Sequence, residues 1–222
     1  MTDPIYLDYN ATTPVDPRVL DAMLPWLKEG YGNPSSDHPY GRRAKAAVDA
    51  ARAEAASLIG AAPGEIVFTG CATEANNLAI LGVAEALRER GRHLITSAVE
   101  HPAVARPMEH LRERGWDLTV LPVDAQGRVS PEHLAAALRD DTVLVSVMHA
   151  NNEVGSLQPI SELAALARAW GVLFHTDAAQ SVGKIPVGVD ALRVDLLTIA
   201  GHKLYAPKGV GALYVRAGTP IA

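Results

Sequence analysis

Four times between Ile66 and Trp170, a short apolar run rich in β-branched residues is followed by a stretch with helical spacing. The pairs are Ile66-Val67-Phe68 with a helix over about 73–90, and His93-Leu94-Ile95-Thr96 with one over about 103–114. Next come Leu118-Thr119-Val120-Leu121, before a helix opened by Ser130-Pro131-Glu132, and Val143-Leu144-Val145-Ser146-Val147, before a helix over about 160–170. Val172-Leu173-Phe174-His175 and Leu196-Leu197-Thr198-Ile199 read as two further strands. Strands that run parallel need a crossover, usually a helix, and strands buried on both faces read as unbroken apolar runs. The pattern therefore predicts an α/β fold with a mostly parallel sheet sandwiched by helices. The last run, Gly211-Ala212-Leu213-Tyr214-Val215, follows the Pro207-Lys208-Gly209 turn too closely for a crossover, which predicts one antiparallel strand.

Helix ends are marked as well. Asp16-Pro17 and Ser130-Pro131 each place a capping side chain before a proline at the first helical position. Gly60, Gly91, Gly115 and Gly171 stand where helices should stop. The apolar faces of helices around 44–59 and 160–170 are expected to be core. The first forty residues, rich in Asn, Pro, Gly, Tyr and Ser, read as an extended arm with loops, and the chain divides into an arm over residues 1–15 and a domain over 16–222.

Composition removes several functions. The 20 Lys and Arg against 25 Asp and Glu leave a net charge of −5, and no basic run interleaves with aromatics, so nucleic acid is not an expected partner. Nothing approaches the ~20 unbroken apolar residues of a membrane span. Met1-Thr-Asp-Pro-Ile-Tyr6 lacks the basic and apolar segments of a secretory leader, and the single cysteine, Cys71, excludes an internal disulfide. Both fit a cytoplasmic protein.

Ligands of open α/β sheets gather beyond the carboxyl ends of the strands, and polar clusters fall there repeatedly. Thr69-Gly-Cys-Ala-Thr-Glu74 opens a helix with small residues, whose free N–H groups and dipole suit an anion. It is neither a P-loop nor a dinucleotide fingerprint. Glu100-His101, Asn151-Asn-Glu153, Asp177-Ala-Ala-Gln180 and Gly201-His-Lys203 follow successive strands. Each alone has an ordinary reading as a cap, a loop hydrogen-bonder or a solvated charge. Pyridoxal 5′-phosphate explains them together, since it needs an amine for its aldehyde, a carboxylate facing its ring nitrogen, donors at its hydroxyl and a phosphate cradle. At ~4 Å and an effective dielectric of ~20, a carboxylate such as Asp177 is worth ~4 kcal/mol to a protonated ring nitrogen, about three pKa units before desolvation.

The chain resembles the NifS/IscS-like cysteine desulfurases, class V enzymes of pyridoxal-phosphate fold type I. The matching segments are Tyr6-Leu-Asp-Tyr-Asn-Ala-Thr-Thr-Pro14, Asn33-Pro-Ser-Ser36, Ala72-Thr-Glu-Ala-Asn-Asn-Leu78, Glu100-His101, Asn151-Asn-Glu-Val-Gly155, His175-Thr-Asp-Ala-Ala-Gln-Ser-Val-Gly183 and Gly201-His-Lys-Leu-Tyr205, in the family's order. The resemblance implies that Lys203 holds the cofactor's aldehyde and shuttles protons, while His101 stacks on the ring as the second catalytic residue. It implies cofactor contacts from Ala72, Thr73, Asn152, Asp177, Gln180 and His202 as well. Phosphate falls to Thr73 and His202, the ring nitrogen to Asp177, and the hydroxyl side or substrate to Asn152 and Gln180. The implied reaction converts L-cysteine to alanine and leaves sulfur as an enzyme persulfide for iron-sulfur or thio-cofactor assembly. A homodimer and a sulfur-accepting or scaffold protein are the implied partners.

Three departures accompany the likeness. Ala200 stands where relatives place a phosphate-binding serine, and Cys71 stands where a glycine is usual. Cys71 reads as a small structural residue and not as the nucleophile. Relatives are nearly twice as long, and their sulfur-accepting cysteine, substrate-binding arginine and C-terminal small domain fall beyond position 222. By itself the chain is expected to bind cofactor weakly and not to mobilise sulfur. Rival readings are another class V activity (selenocysteine lyase or aminotransferase), a noncatalytic homologue that only associates, and metal binding through His149, His175 and His202. The last lacks any H-E-x-x-H or C-x-x-C spacing, and metal ligation is not expected. No G-x-S-x-G elbow supports a serine hydrolase.

Overall fold

The computed structural model describes residues 4–222. Residues 1–3, which hold the start of the arm and of the segment read for a leader, lie outside the described residues. From Pro4 to Val15 the chain forms no helix or strand.

Two helices precede the sheet. α1 (Pro17–Lys28) is capped by Asp16, whose carboxylate accepts from the Arg18 N–H, and α2 (Pro39–Ile59) ends at Gly60 in the left-handed region (φ 69°). The alternating part then runs β1 (Ile66–Thr69), α3 (Ala72–Leu87), β2 (His93–Ser97), α4 (Pro102–Glu113), β3 (Asp117–Leu121), α5 (Pro131–Ala137), β4 (Thr142–Ser146), α6 (Ile160–Ala169), β5 (Leu173–Asp177), α7 (Val189–Leu192), β6 (Leu196–Ala200) and β7 (Gly211–Val215). All six strands placed on the strand–helix pattern are present, together with the expected last one.

The seven strands form one sheet in the order β1-β7-β6-β5-β4-β2-β3. β7 runs antiparallel to both neighbours, pairing Ala200 with Gly211 on one side and Phe68 with Ala212 on the other. The remaining ladders are parallel, including Val145 with Phe174 and Asp177 with Thr198.

Side-chain alternation sorts the apolar runs onto two cores. Leu94, Leu144, Leu196 and Leu213 face α3 and α4, where they meet Ala79, Ile80, Val83, Val104 and Met108. Their neighbours Ile95, Val145, Leu197 and Tyr214 face the opposite layer with Ile59, Leu163, Ala164 and Phe174. Every residue of β2, β4 and β6 is buried, so both faces of the sheet are covered.

Two expectations need correction. α6 buries Ile160, Leu163, Ala164 and Ala167 as expected, but between 44 and 59 α2 buries only Ala44, Ala56 and Ile59, leaving Val48 and Leu58 exposed. The middle of α2 faces α1 across an open apolar groove lined by Val19, Met23 and Trp26, and α1 buries none of its residues. Gly91 is not a helix stop. α3 ends at Leu87, and Gly91 lacks a side chain for a different reason: a Cβ there would lie 2.2 Å from the Asp141 carbonyl oxygen. Gly115 and Gly171, at φ 88° and 65°, do follow helix ends. Among the described residues, no helix is long and apolar enough to cross a membrane.

Candidate active site

The carboxyl ends of β4, β5 and β6 and the opening turns of α3 and α4 surround a cavity of about 620 Å³. Ala72, Thr73, His101, Asn152, Asp177, Gln180, His202 and Lys203 all line it. Residues spread over 130 positions of sequence thus share one wall, because each follows a strand whose direction is fixed by the parallel ladder.

Asp177 is the last residue of β5 and is buried. Its Oδ1 accepts from the Ala179 N–H at 3.0 Å, and its Oδ2 accepts from Asn76 Nδ2 at 2.8 Å. Asn76 sits one turn into α3, three residues after Thr73, so both face the cavity. It is fully buried, and its Oδ1 has no protein partner.

Lys203 closes the 3₁₀ turn Gly201–Lys203 that follows β6. Partial burial pulls its ammonium below the usual lysine range, and the charge of Asp177 opposes that shift. The two groups therefore feel one another across the cavity. His202 is also pulled down, first by burial and then by Lys203 and Lys208, and its Nδ1 lies 3.1 Å from Thr12 Oγ1.

α3 presents its N-terminus to the same space. Cys71 is its cap, with Sγ accepting from the Glu74 N–H at 3.5 Å, and Glu74 Oε2 accepts from the Gly70 N–H at 2.6 Å. This matches the structural reading of Cys71, whose thiol is nonetheless exposed. A Cβ on Gly211 would stand 2.6 Å from the Cys71 carbonyl carbon and 3.0 Å from the Ala72 nitrogen, so only glycine lets β7 pass behind the cup. Ala200, buried, contributes no hydroxyl to the wall.

His101 caps α4, its Nδ1 accepting from the Ala103 N–H at 3.1 Å, which fixes the ring's rotation. Asn152 Nδ2 donates to Glu153 Oε1 at 2.8 Å. Gln180 is held at both ends of its amide, donating to Asn10 O at 2.9 Å and accepting from Lys184 Nζ at 2.8 Å. The three imidazoles considered for a metal each meet hydroxyls: His149 with Ser181, His175 with Ser146 and Thr198, His202 with Thr12.

Three contributors carry no role in the sequence reading. Asn76 lay within a quoted motif, and its spacing from Thr73 was the available signal. Glu100 is half-buried as a residue, but its Oε2 is sealed from solvent and unpartnered. Its Oε1 accepts from Ser97 Oγ at 2.5 Å and from the Met148 N–H at 2.9 Å, anchoring the turn before His101 to the strand beside it. Burial pushes its carboxyl up to about 8, against the lowering effect of those two donors. The third contributor is the arm, whose Tyr6–Pro14 segment carries the likeness but gives no sign of the distant residues it touches.

The aminotransferase class-V family matches residues 5–219. A cysteine desulfurase IscS of Dictyoglomus turgidum is 55% identical over 217 residues, covering 98% of this chain and 55% of that protein. A solved NifS-like protein superposes with a TM-score of 0.95 at 43% identity, covering 98% of this chain and 60% of the other. A structure described as SspA in complex with cysteine gives 0.94 at 43% identity, with 98% and 63% covered. The chain spans about half the length of the curated relatives it matches, 55% and 54% of the first two. With the family model matching nearly the whole chain and relatives more than half identical over that length, this chain belongs to the class-V aminotransferase family.

Proposed function

We propose that this chain carries the pyridoxal-phosphate site of a cysteine desulfurase, which releases alanine from L-cysteine and passes the sulfur on. The observation that carries the reading is the placement of Lys203 and Asp177 on one cavity wall with the opening turn of α3. The names of the similar proteins support cysteine as substrate.

The residues fit the cofactor. The wall keeps a buried acceptor, Asn76 Oδ1, without a protein donor, and the cup behind Thr73 stays open only because position 211 is glycine. Bound there, pyridoxal phosphate supplies an electron sink for the bonds of the substrate's α-carbon.

Lys203 Nζ would hold the aldehyde and move protons at the substrate's α-carbon, helped by a burial that keeps the neutral amine accessible. Asp177, oriented by Asn76 and the Ala179 N–H, would face the ring nitrogen. Thr73, the N–H groups of Ala72 and Thr73, and His202 would take the phosphate, where the dipole of α3 favours negative charge. His101, its rotation fixed by Ala103, would lie along the ring face. Asn152 and Gln180 would border the ring hydroxyl or the substrate.

The same reading takes residues 1–15 as an arm and 16–222 as a large domain continued by further chain in the relatives. It also takes a second copy and a sulfur-accepting or scaffold protein as partners, in the cytoplasm. To test it, the full-length gene product is supplied with pyridoxal phosphate, L-cysteine and a reducing thiol. Alanine and sulfide in equal amounts are expected; a keto acid in place of alanine would favour transamination and overturn the desulfurase reading.

A further inference from the structure

Between Asn10 and Thr13 the arm touches three loops that carry the site. Asn10 Nδ2 donates to the Asn152 carbonyl at 3.3 Å, and the Asn10 carbonyl accepts from Gln180 Nε2 at 2.9 Å. Thr12 Oγ1 meets His202 Nδ1 at 3.1 Å.

Thr13 goes further. It is only 3% exposed, and its hydroxyl acts twice, donating to the His202 carbonyl at 2.9 Å and accepting from the Tyr205 N–H at 3.0 Å. Its own backbone N–H donates to the same His202 carbonyl at 2.9 Å, and Asp16 N donates to the Tyr205 carbonyl at 3.0 Å. One hydroxyl therefore grips the chain on both sides of the Lys203-Leu204 pair, across 189 and 192 residues of sequence separation.

The grip falls on backbone that needs it. Gly201–Lys203 is a single 3₁₀ turn, and Tyr205 sits at φ 60°, a left-handed conformation that a non-glycine residue keeps only where its surroundings over-determine it. Tyr205 is exposed, with its ring edge-on to Tyr9, and its backbone is held by the bonds from Thr13 and Asp16.

We propose that Thr13 is a positioning residue for Lys203, the central bond of a strap formed by residues 10–13. The strap fixes the direction in which the lysine amine enters the cavity. Thr13 acts through the loop and not on the cofactor. Without the hydroxyl, the Tyr205 N–H and one bond to the His202 carbonyl go unmet, and the turn carrying Lys203 relaxes to satisfy them. The inference rests on the cofactor reading above.

Thr13→Val keeps the side-chain shape and removes both hydroxyl bonds, whereas Thr13→Ser keeps them. Pyridoxal phosphate is titrated into the parent protein and both variants, following the absorbance band of lysine-bound cofactor, with thermal unfolding in parallel. Thr13→Val is expected to weaken binding about tenfold and shift the band, and Thr13→Ser to restore both within about twofold. A purely structural role would lower the melting temperature alone, so a Thr13→Val protein that binds as tightly as the parent with an unchanged band overturns the inference. Should Thr13→Val not fold, Thr12→Val is titrated instead. A weakening of about threefold supports the strap and unchanged affinity overturns it. A parent that never shows the band overturns the cofactor reading, and the inference with it. A parent that binds beside an equally competent variant overturns only the inference.

Discussion

Glu100→Gln isolates the buried carboxyl beside His101. In the folded chain this carboxyl is pushed up to about 8 from an ordinary 4.5, with burial as the main cause and Asp177's charge adding to it. Between those values the folded protein holds a proton that the unfolded chain has released, so raising the pH costs stability there. At about 1.4 kcal/mol per pKa unit the ceiling is about 5 kcal/mol, and the solvent that reaches a half-buried residue reduces the expectation to about 2 kcal/mol. Glutamine keeps an acceptor for Ser97 Oγ and the Met148 N–H and copies the neutral carboxyl in shape. Urea unfolding from pH 5 to 9 is the assay, read as the difference between variant and parent, in which other titrations cancel. Near pH 5 the two should agree within about 1 kcal/mol, and by pH 9 the variant should be more stable by about 2 kcal/mol. Parallel curves across the range would show that Glu100 is ionised throughout, and the reasoning would fail.

Asn76→Asp sets a second carboxylate in place of the amide 2.8 Å from Asp177 and should lower stability by about 2 kcal/mol at pH 8, recovering toward pH 4 as one group protonates; a pH-independent loss in urea unfolding would refute it. Gly211→Ala drives a methyl into the Cys71-Ala72 backbone and should weaken pyridoxal-phosphate binding at least about tenfold by equilibrium titration, whereas unchanged affinity would remove the cup from the site. His175, fully buried between Ser146 and Thr198, is lowered to about 3 from 6.5 by burial, so its contribution is complete above 6.5 and lost as pH falls toward 3. Its ring resonances should not titrate above about pH 4 in NMR, and a midpoint near 6 would contradict the burial.

The fold was legible where burial on both faces leaves a mark in the sequence. Leu144-Val145 and Leu196-Leu197 are apolar in succession because each feeds a different core, and that is the sign of a covered parallel sheet. α2 misled because an alanine-rich helix reads alike whether it meets a core or an open groove, and only its ends reach the packed layers. Gly91 misled because steric exclusion by Asp141 and a helix stop call for the same residue. In the site, the strand-end residues share one cavity because topology gathers whatever follows a parallel strand. Thr12 and Thr13 were not, since their partners lie near residue 202 and nothing local announces the pairing. Asn76 and Glu100 brace neighbouring groups of the site, and that chemistry shows only once Asp177 and Met148 are seen beside them.

The most direct test of the account is to load the protein with pyridoxal phosphate, reduce the adduct with borohydride and map the modified peptide by mass spectrometry. Modification of Lys203 alone is the predicted result. Label spread over Lys184 and Lys208, or absent from all three, would contradict it.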